Sequence, residues 1–213
     1  MIYVLDIDGT LIDSSRRHGA LLKSILDNRN IKYEQGLENY YLEYKRNGNT
    51  TMQYLTEVLQ LGIAESKEIA REWVAHIEDW EWISMDVLYD DTIPFLTAIG
   101  ENNRIIYLSN RCNKKNLFRE LSMLQIQHYA AYTYISNPKN GCEDKSQFLQ
   151  KIKKEALDEI LVVGDSEIDK ETAERNNVNV VLLNRGFRSK YYWDKVGAIS
   201  YYSLREILSE QVL

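Results

Sequence analysis

The first fifteen residues read MIYVLDIDGTLIDSS, in which an apolar run over Ile2–Leu5 ends on two aspartates, Asp6 and Asp8, followed by Gly9. Carboxylates this close together repel each other, so a buried strand that ends on both of them requires an explanation. An Asp-Gly pair is common in solvated turns, which is the simpler interpretation. A divalent cation bound by the aspartates would remove the repulsion, and that interpretation predicts a metal site.

Further apolar runs predict a parallel sheet around this first strand. Four of them resemble strands: Ile105–Leu108, Tyr132–Ile135, Ile160–Val163 and Val178–Leu183. None alternates cleanly between apolar and polar residues, which is typical of strands that are covered on both faces. Helical patterns separate these runs: Pro94–Ile99, Lys114–Leu124, Ser146–Lys154 and Lys170–Arg175. Alternating strands and helices predict an α/β fold with a doubly wound parallel sheet.

The segment 14–85 has a different pattern, because apolar residues recur there at helical spacing without a convincing strand. Two such stripes are Leu21, Leu22, Ile25 and Leu26, and Ile69, Trp73, Ile77 and Trp80. Thr50 with Gln53 has the pattern of a capping box, and Ser203 with Glu206 has the same pattern before a final helix. We therefore expect an α/β core domain formed by residues 1–13 and 86–213, and an inserted all-helical domain over residues 14–85.

Composition narrows the classes of function. The net charge of −6 provides no basic surface, so we do not expect nucleic acid as a partner. No apolar run is long enough to span a membrane, and Met1 leads directly into a strand, so we expect neither a membrane anchor nor a signal peptide. The only cysteines are Cys112 and Cys142, which argues against a disulfide framework and favours a cytoplasmic location.

Polar residues follow two other predicted strands, at the points where those strands end. The run Ser109–Arg111 follows one strand, and Gly164–Ser166 follows another, with Asp169 one helical turn further on. A polar loop between them carries Lys139 and Lys145. Ligands of parallel α/β sheets bind at the carboxyl ends of the strands, so these residues should converge with the first two aspartates. Carboxylates from two strands with a lysine nearby indicate a Mg²⁺ and phosphate site.

The order of these motifs resembles the haloacid dehalogenase-like hydrolase superfamily. The similarity rests on four motifs: Asp6-Ile7-Asp8-Gly9-Thr10, Ser109, a loop lysine, and Gly164-Asp165-Ser166-Glu167-Ile168-Asp169. The helical insertion after the first motif is similar to the C1 cap of phosphoglycolate phosphatase-like members. The resemblance covers nearly the whole chain, and it implies a Rossmann-like core with a helical cap.

The resemblance also implies catalytic roles. Asp6 would be the nucleophile that forms an aspartyl-phosphate, and Asp8 would be the general acid and then the general base. Ser109 would hydrogen-bond a phosphoryl oxygen. A lysine would hold the nucleophile and the phosphate together. We favour Lys145 for this role because it opens a helical run, although Lys139 is an alternative.

The metal implied by the resemblance is Mg²⁺, a hard cation that prefers oxygen ligands. Its ligands would be Asp6, Asp165 and the backbone carbonyl of Asp8, with Asp169 steadying the outer coordination shell. These four residues are our candidate metal site.

Substrate-binding candidates lie around the same motifs. They are Thr10, Asn110, Arg111 and Arg16; Arg17 is a further candidate, although both Arg16 and Arg17 could be exposed instead. His18 lies on the apolar stripe of its helix, so we expect it to pack against other helices rather than to contact substrate.

These roles together predict a Mg²⁺-dependent phosphatase that hydrolyses a small phosphorylated metabolite. The presence of Asp8 argues against the dehalogenase branch, which lacks a carboxylic acid at this position. A phosphomutase using the same residues is one alternative. A non-catalytic phosphate-binding interaction module is another, but it would have no need of three costly carboxylates, Asp6, Asp8 and Asp165.

Overall fold

The structure is a computed structural model that describes residues 1–209. Within this range the strands, in chain order, are β1 (Ile2–Leu5), β2 (Ile12–Asp13), β3 (Val87–Leu88), β4 (Arg104–Ser109), β5 (Tyr132–Ile135), β6 (Ile160–Gly164), β7 (Asn179–Leu183) and β8 (Ser200–Tyr201). The α-helices are α1 (Ser15–Asn28), α2 (Leu37–Arg46), α3 (Thr51–Gln53), α4 (Ile63–His76), α5 (Trp80–Ile83), α6 (Thr92–Gly100), α7 (Lys114–Met123), α8 (Cys142–Glu155), α9 (Glu167–Asn176), α10 (Lys190–Lys195) and α11 (Leu204–Ser209). A π-helical turn, Tyr54–Val58, follows α3.

Six strands form one sheet in the order β5-β4-β1-β6-β7-β8, and every neighbouring pair is parallel. The strand that carries the DIDGT motif, β1, lies near the middle, between β4 and β6. The carboxyl ends of β1, β4 and β6 therefore lie side by side, as the strand-end motifs require. This topology confirms the predicted doubly wound α/β sheet.

Both faces of the sheet are covered, because successive residues of a strand point to opposite sides. Tyr3 and Leu5 pack with apolar residues of α6, α7 and α11, whereas Ile2 and Val4 pack with residues of α8 and α9. All four side chains are at most 1% exposed. Burial on both faces explains why β1 has no polar alternation.

The helices α1–α5, which we call the helical insertion, have a hydrophobic core of their own. Its members are Leu21, Leu22, Ile25, Leu26, Leu37, Tyr41, Tyr54, Leu55, Ile69 and Trp73. The chain enters the insertion through β2 and leaves it through β3, and these strands pair antiparallel, with Ile12 opposite Leu88. An all-helical insertion is thus confirmed, while the domain limits at residues 14 and 85 stay a prediction.

Most predicted elements are present, with shifted ends. The capping box of Thr50 and Gln53 is formed at the start of α3. The stripe from Ile69 to Trp80 spans two helices rather than one, because α4 ends at His76 and Trp80 begins α5. Only half of the second capping box forms: the Ser203 amide donates to Glu206, but the Ser203 hydroxyl donates to Asp91.

Within residues 1–209, no helix is both long enough and apolar enough to cross a membrane.

Candidate active site

Gly9 allows the first motif to turn tightly beneath the end of β1. Its φ of +76° lies in the left-handed region, where side chains other than glycine are strained. A Cβ atom at Gly9 would lie 2.2 Å from Oδ2 of Asp165, so the position also leaves no space for a side chain. This turn brings Asp6 and Asp8 to the same cavity, while Ile7 between them is fully buried.

Lys145, in the first turns of α8, bridges two carboxylates from different strand ends. Its Nζ lies 2.7 Å from Oδ1 of Asp6 and 2.8 Å from Oδ1 of Asp169, and its side chain is 1% exposed. Burial alone lowers the pKa of Lys145, but Asp169 and Asp6 raise that pKa above its ordinary value. The structure therefore places a fixed positive charge against Asp6. The alternative lysine, Lys139, is exposed.

Three carboxylates, those of Asp6, Asp165 and Asp169, lie close enough to hold a cation. One oxygen from each lies within 4.8 Å of the others. Burial raises the pKa of Asp6 to about 7 despite Lys145, and burial together with Asp6 raises the pKa of Asp165 well above its ordinary range. Crowded, buried oxygen donors of this kind are suited to a hard divalent cation.

Asp165 and Asp169 differ in how many of their carboxylate oxygens accept hydrogen bonds from the protein. Oδ2 of Asp165 accepts from the amide of Phe187 at 2.5 Å. Both oxygens of Asp169 are engaged, because Oδ1 accepts from Lys145 and Oδ2 accepts from the amide and hydroxyl of Ser166 at the start of α9. Asp169 is thus oriented by the protein itself, which fits an outer-shell position better than direct ligation.

Two arginines hold the side chain of Asp8. Arg111 donates from Nε and Nη2 to the two oxygens, both at 2.7 Å, and Arg17 donates from Nη2 to Oδ1 at 2.5 Å. Burial alone raises the pKa of Asp8, but Arg111 and Arg17 lower that pKa below its ordinary value. We call this arrangement the arginine clamp; it favours the ionised carboxylate.

Two buried acids lie behind the arginine clamp. Glu120 of α7 accepts from Nη1 of Arg111 at 2.5 Å, and Oδ2 of Asp86 lies 3.2 Å from Nη1 of Arg17. Burial raises the pKa of Asp86 to about 9, although Arg17 lowers it. Neither acid belongs to a motif, and sequence reasoning missed both.

The structure places two of the candidates for binding the phosphoryl group or the substrate at the cavity, buries two others, and leaves one exposed elsewhere. Asn110 and Arg111 line the cavity, whereas Ser109, which precedes Asn110 in the chain, and Thr10 are buried and are not among the residues that line it. Arg16 is exposed on α1, so the structure does not bring it to the site. Adjacent residues of a helix point about 100° apart, which is why Arg17, and not Arg16, faces Asp8.

The cavity has a volume of about 250 Å³ and lies between the carboxyl ends of the strands and the helical insertion. The insertion contributes His18, Trp73, Ile77 and Glu78, and the loop after β7 contributes Phe187. His18 packs against Trp73 and Phe187, as its stripe predicted, but it also lines the cavity.

Glu78 joins the helical insertion to the loop after β4. Its carboxylate accepts from the amides of Cys112 and Asn113, at 2.8 and 2.5 Å, and its backbone carbonyl accepts from Asn116 at 2.7 Å. Because Arg111 immediately precedes these amides, the contact fixes the insertion beside the arginine clamp. The insertion therefore forms one side of the cavity, which stays partly open in this structure.

Residues 3–183 match the sequence profile of the haloacid dehalogenase-like hydrolase family. No curated protein matches the chain in sequence. Among solved structures, a predicted phosphatase from Clostridium acetobutylicum is 15% identical, with a TM-score of 0.72 over 99% of this chain and 97% of that one. A haloacid dehalogenase-like family hydrolase from Streptococcus pneumoniae is 17% identical, with a TM-score of 0.71 over 98% and 96%.

A predicted phosphoglycolate phosphatase from Haemophilus somnus is 19% identical, with a TM-score of 0.71 over 99% of this chain and 97% of that one. At this level of identity, the likeness to solved structures shows a shared fold. The family profile covers most of the chain, from β1 to the end of β7. This chain belongs to the haloacid dehalogenase-like hydrolase family.

Proposed function

We propose that this protein is a Mg²⁺-dependent phosphatase that hydrolyses a small phosphate monoester through an aspartyl-phosphate on Asp6. The observation that carries the proposal is the position of Asp6, which lines the cavity and whose Oδ1 lies 2.7 Å from Nζ of Lys145. A carboxylate fixed beside a lysine and two further acids is arranged to attack a bound phosphoryl group.

In the first step a carboxylate oxygen of Asp6 would form a bond to phosphorus as the bond to the leaving oxygen breaks. Lys145 would orient the attacking carboxylate and attract the phosphoryl oxygens. Ser109, Asn110 and Thr10 would donate hydrogen bonds to the transferring group. In the second step water would attack the same phosphorus and release phosphate.

Asp8 would transfer the protons for both steps. The arginine clamp keeps it ionised, which suits the base that removes a proton from the attacking water. To donate a proton to the leaving oxygen, Asp8 would first have to be released from Arg17 or Arg111 and take up a proton from solvent. A phosphoryl group entering the cavity offers those arginines another anionic partner.

A Mg²⁺ ion would be held by Asp6, Asp165 and the backbone carbonyl of Asp8, with Asp169 in the outer shell. The fit is supported by the 4.8 Å clustering of carboxylate oxygens and by the raised pKa of Asp165. When bound, Mg²⁺ would neutralise charge on the phosphoryl oxygens during transfer.

Residues 14–85 would act as the cap of this enzyme, with the α/β core formed by residues 1–13 and 86–213. The side chains that close the cavity over Asp6 come from α1, α4 and the turn that follows α4. Closing this cap would exclude water from the first step and would select the leaving group.

The direct test is phosphate release from an aryl phosphate, measured with Mg²⁺ and with a chelator. Turnover that depends on Mg²⁺ would support the proposal. Absence of phosphate release under both conditions, with inorganic phosphate still bound, would favour the non-catalytic module instead. Transfer of the phosphoryl group to a second sugar or alcohol rather than to water would identify a mutase.

Asp8→Asn should trap the covalent intermediate. An aryl leaving group needs little protonation, so Asp6 should still be phosphorylated, but no base would activate water for the second step. Intact-protein mass spectrometry should show the mass of one added phosphoryl group. The double variant Asp6→Asn/Asp8→Asn is the control and should show none. Rapid, complete turnover by Asp8→Asn would remove Asp8 from this role.

Asp165→Asn should abolish the stabilisation that Mg²⁺ gives the folded protein. A ligand at a hundredfold excess over its Kd stabilises the state that binds it by about 2.7 kcal/mol. Without Mg²⁺ the variant should melt at the parent temperature or slightly above, because a crowded carboxylate is removed. Thermal melts of both proteins, with and without Mg²⁺, measure this. An equal gain in the two proteins would show that Asp165 is not a ligand.

A further inference from the structure

Two buried acids, Asp86 and Glu120, have no part in the proposed mechanism. Asp86 lies directly before β3, where the chain returns from the helical insertion, and Glu120 lies in α7. Asp86 is 2% exposed and Glu120 is fully buried. Two carboxylates are costly to bury unless cations or a proton compensate their charge. The groups around these two acids therefore have to supply that compensation.

Both acids contact the arginines of the clamp. Glu120 accepts from Nη1 of Arg111 at 2.5 Å, while Nε and Nη2 of the same arginine donate to Asp8. Oδ2 of Asp86 lies 3.2 Å from Nη1 of Arg17 and 3.5 Å from Nη2 of Arg111. Each arginine thus contacts Asp8 and at least one of the two buried acids.

The charges of this cluster do not balance when every acid is ionised. The two arginines of the clamp supply two positive charges, whereas Asp8, Asp86 and Glu120 would supply three negative charges. An uncompensated charge in a buried cluster is strongly unfavourable. A single proton on one of the acids makes the positive and negative charges equal.

Two oxygens without partners indicate which acids hold that proton. Oδ1 of Asp86 and Oε1 of Glu120 are buried, and within residues 1–209 neither accepts a hydrogen bond from a donor group. A protonated carboxyl is itself a donor, so one proton allows these two acids to hydrogen-bond each other. Burial raises the pKa of Asp86 to about 9, and a hydrogen bond with Glu120 contributes to that rise. At neutral pH Asp86 therefore carries the proton.

We propose that Asp86 and Glu120 share one proton, and that this acid pair positions the arginine clamp. The inference rests on the proposed phosphatase function, because the clamp holds Asp8 and faces the incoming phosphoryl group. The acid pair offers acceptors to both arginines, yet it carries only one negative charge. The arginines therefore keep positive charge for Asp8 and for the phosphoryl oxygens. Asp86 and Glu120 are positioning residues, since neither lines the cavity.

Thermal melts without Mg²⁺ test the shared proton in the absence of any catalytic step. An aspartate of an unfolded chain ionises near pH 4, whereas Asp86 of the folded protein keeps its proton up to about pH 9. Between these values the folded state binds one proton more than the unfolded chain, so this group makes the parent less stable as the pH rises. Asp86→Asn has no such proton. Its melting temperature relative to that of the parent should therefore rise from about pH 5 to about pH 9.

Asp90→Asn is the matched control for the melts. Asp90 is an exposed acid between β3 and α6, in the same part of the chain as Asp86. Its side chain has no ion pair within residues 1–209, so the difference in melting temperature between Asp90→Asn and the parent should stay constant over the same pH range.

The pH dependence of turnover tests the positioning role. The ionisable groups that face Asp86 are Arg17 of α1, Arg111 after β4, Glu120 of α7 and Asp8 after β1. When Asp86 ionises, the acid pair carries two negative charges and attracts the arginines away from Asp8 and the phosphoryl group. Turnover of an aryl phosphate by the parent should therefore fall as the pH rises through about 9. Asp86→Asn cannot ionise, so its turnover should persist to higher pH.

Two substitutions of Asp86 separate positioning from packing. Asp86→Leu fills the buried space but gives Arg17 no acceptor, and turnover should fall by about 10- to 100-fold, as is typical when an outer-shell partner is removed. Asp86→Asn should keep most of the parent's turnover at neutral pH, because its amide offers an oxygen to Arg17 and an N–H to Glu120. If Asp86→Leu does not fold, the pH profile of Asp86→Asn decides the positioning role.

A melting difference between Asp86→Asn and the parent that stays constant with pH would overturn the shared proton. The positioning role would fail if Asp86→Asn lost turnover at the same alkaline pH as the parent, or if Asp86→Leu turned over as fast as Asp86→Asn. Each of these results leaves the proposed function standing. Absence of phosphate release by the parent at every pH would overturn the proposed function, and the melts would still decide whether the two acids share a proton.

Discussion

Asp6→Asn should lower phosphate release by about a thousandfold or more, because the neutral amide cannot attack phosphorus. The side chain keeps its shape, and Lys145 keeps its second partner, Asp169, so the fold should survive. Steady-state turnover of an aryl phosphate with Mg²⁺ measures the loss, and thermal melting checks the fold.

Asp158→Asn is a suitable control, since Asp158 is an exposed acid in the loop before β6. It should match the parent in both turnover and melting temperature. Near-native turnover by a correctly folded Asp6→Asn would rule out the covalent mechanism proposed for this site.

Lys145→Met should reduce both activity and stability, whereas Lys139→Met should change neither. The buried carboxylates of Asp6 and Asp169 would lose their common cation, and breaking a buried pair in this way costs about 3–5 kcal/mol. Turnover should fall by about 100- to 1,000-fold, the range seen when one preorganised electrostatic group is removed. Urea unfolding and turnover of an aryl phosphate measure the two effects.

Mg²⁺ should restore part of the stability of Lys145→Met, because a second cation would then neutralise the same carboxylates. Lys139 provides the matched comparison, since the sequence left both lysines as candidates and the structure exposes Lys139. A larger loss in Lys139→Met than in Lys145→Met would reverse the assignment of the loop lysine.

Most parts of the site that could be predicted from sequence lie at the carboxyl ends of strands of the central sheet. Asp6 and Ser109 come directly after apolar runs, and Asp165 comes one residue after such a run; parallel pairing of β1 with β4 and β6 brings those ends together. Local sequence therefore determined both the strand and the polar residue that ends it. The prediction that Lys145 belongs to the site required one further inference, namely that a helix begins near this residue.

The rest of the site depends on contacts between distant segments. Glu120 and Asp86 are buried against arginines 9 and 69 residues away in the chain, and no local pattern separates them from exposed acids. To choose between Arg16 and Arg17, one must know how α1 is rotated about its own axis. The apolar stripe of α1 predicts that rotation only approximately. Phe187 reaches Asp165 through its backbone amide, a contact that has no side-chain signature.

The pairing of β2 with β3 has a consequence for folding. The roughly seventy residues between Asp13 and Val87 form a loop whose ends this ribbon joins, and closing such a loop costs about 4 kcal/mol of chain entropy. Because that cost grows only with the logarithm of length, a four-residue turn in its place would save about 2.5 kcal/mol. The interruption after the first strand therefore costs the fold about 2.5 kcal/mol, which the insertion's own hydrophobic core has to offset.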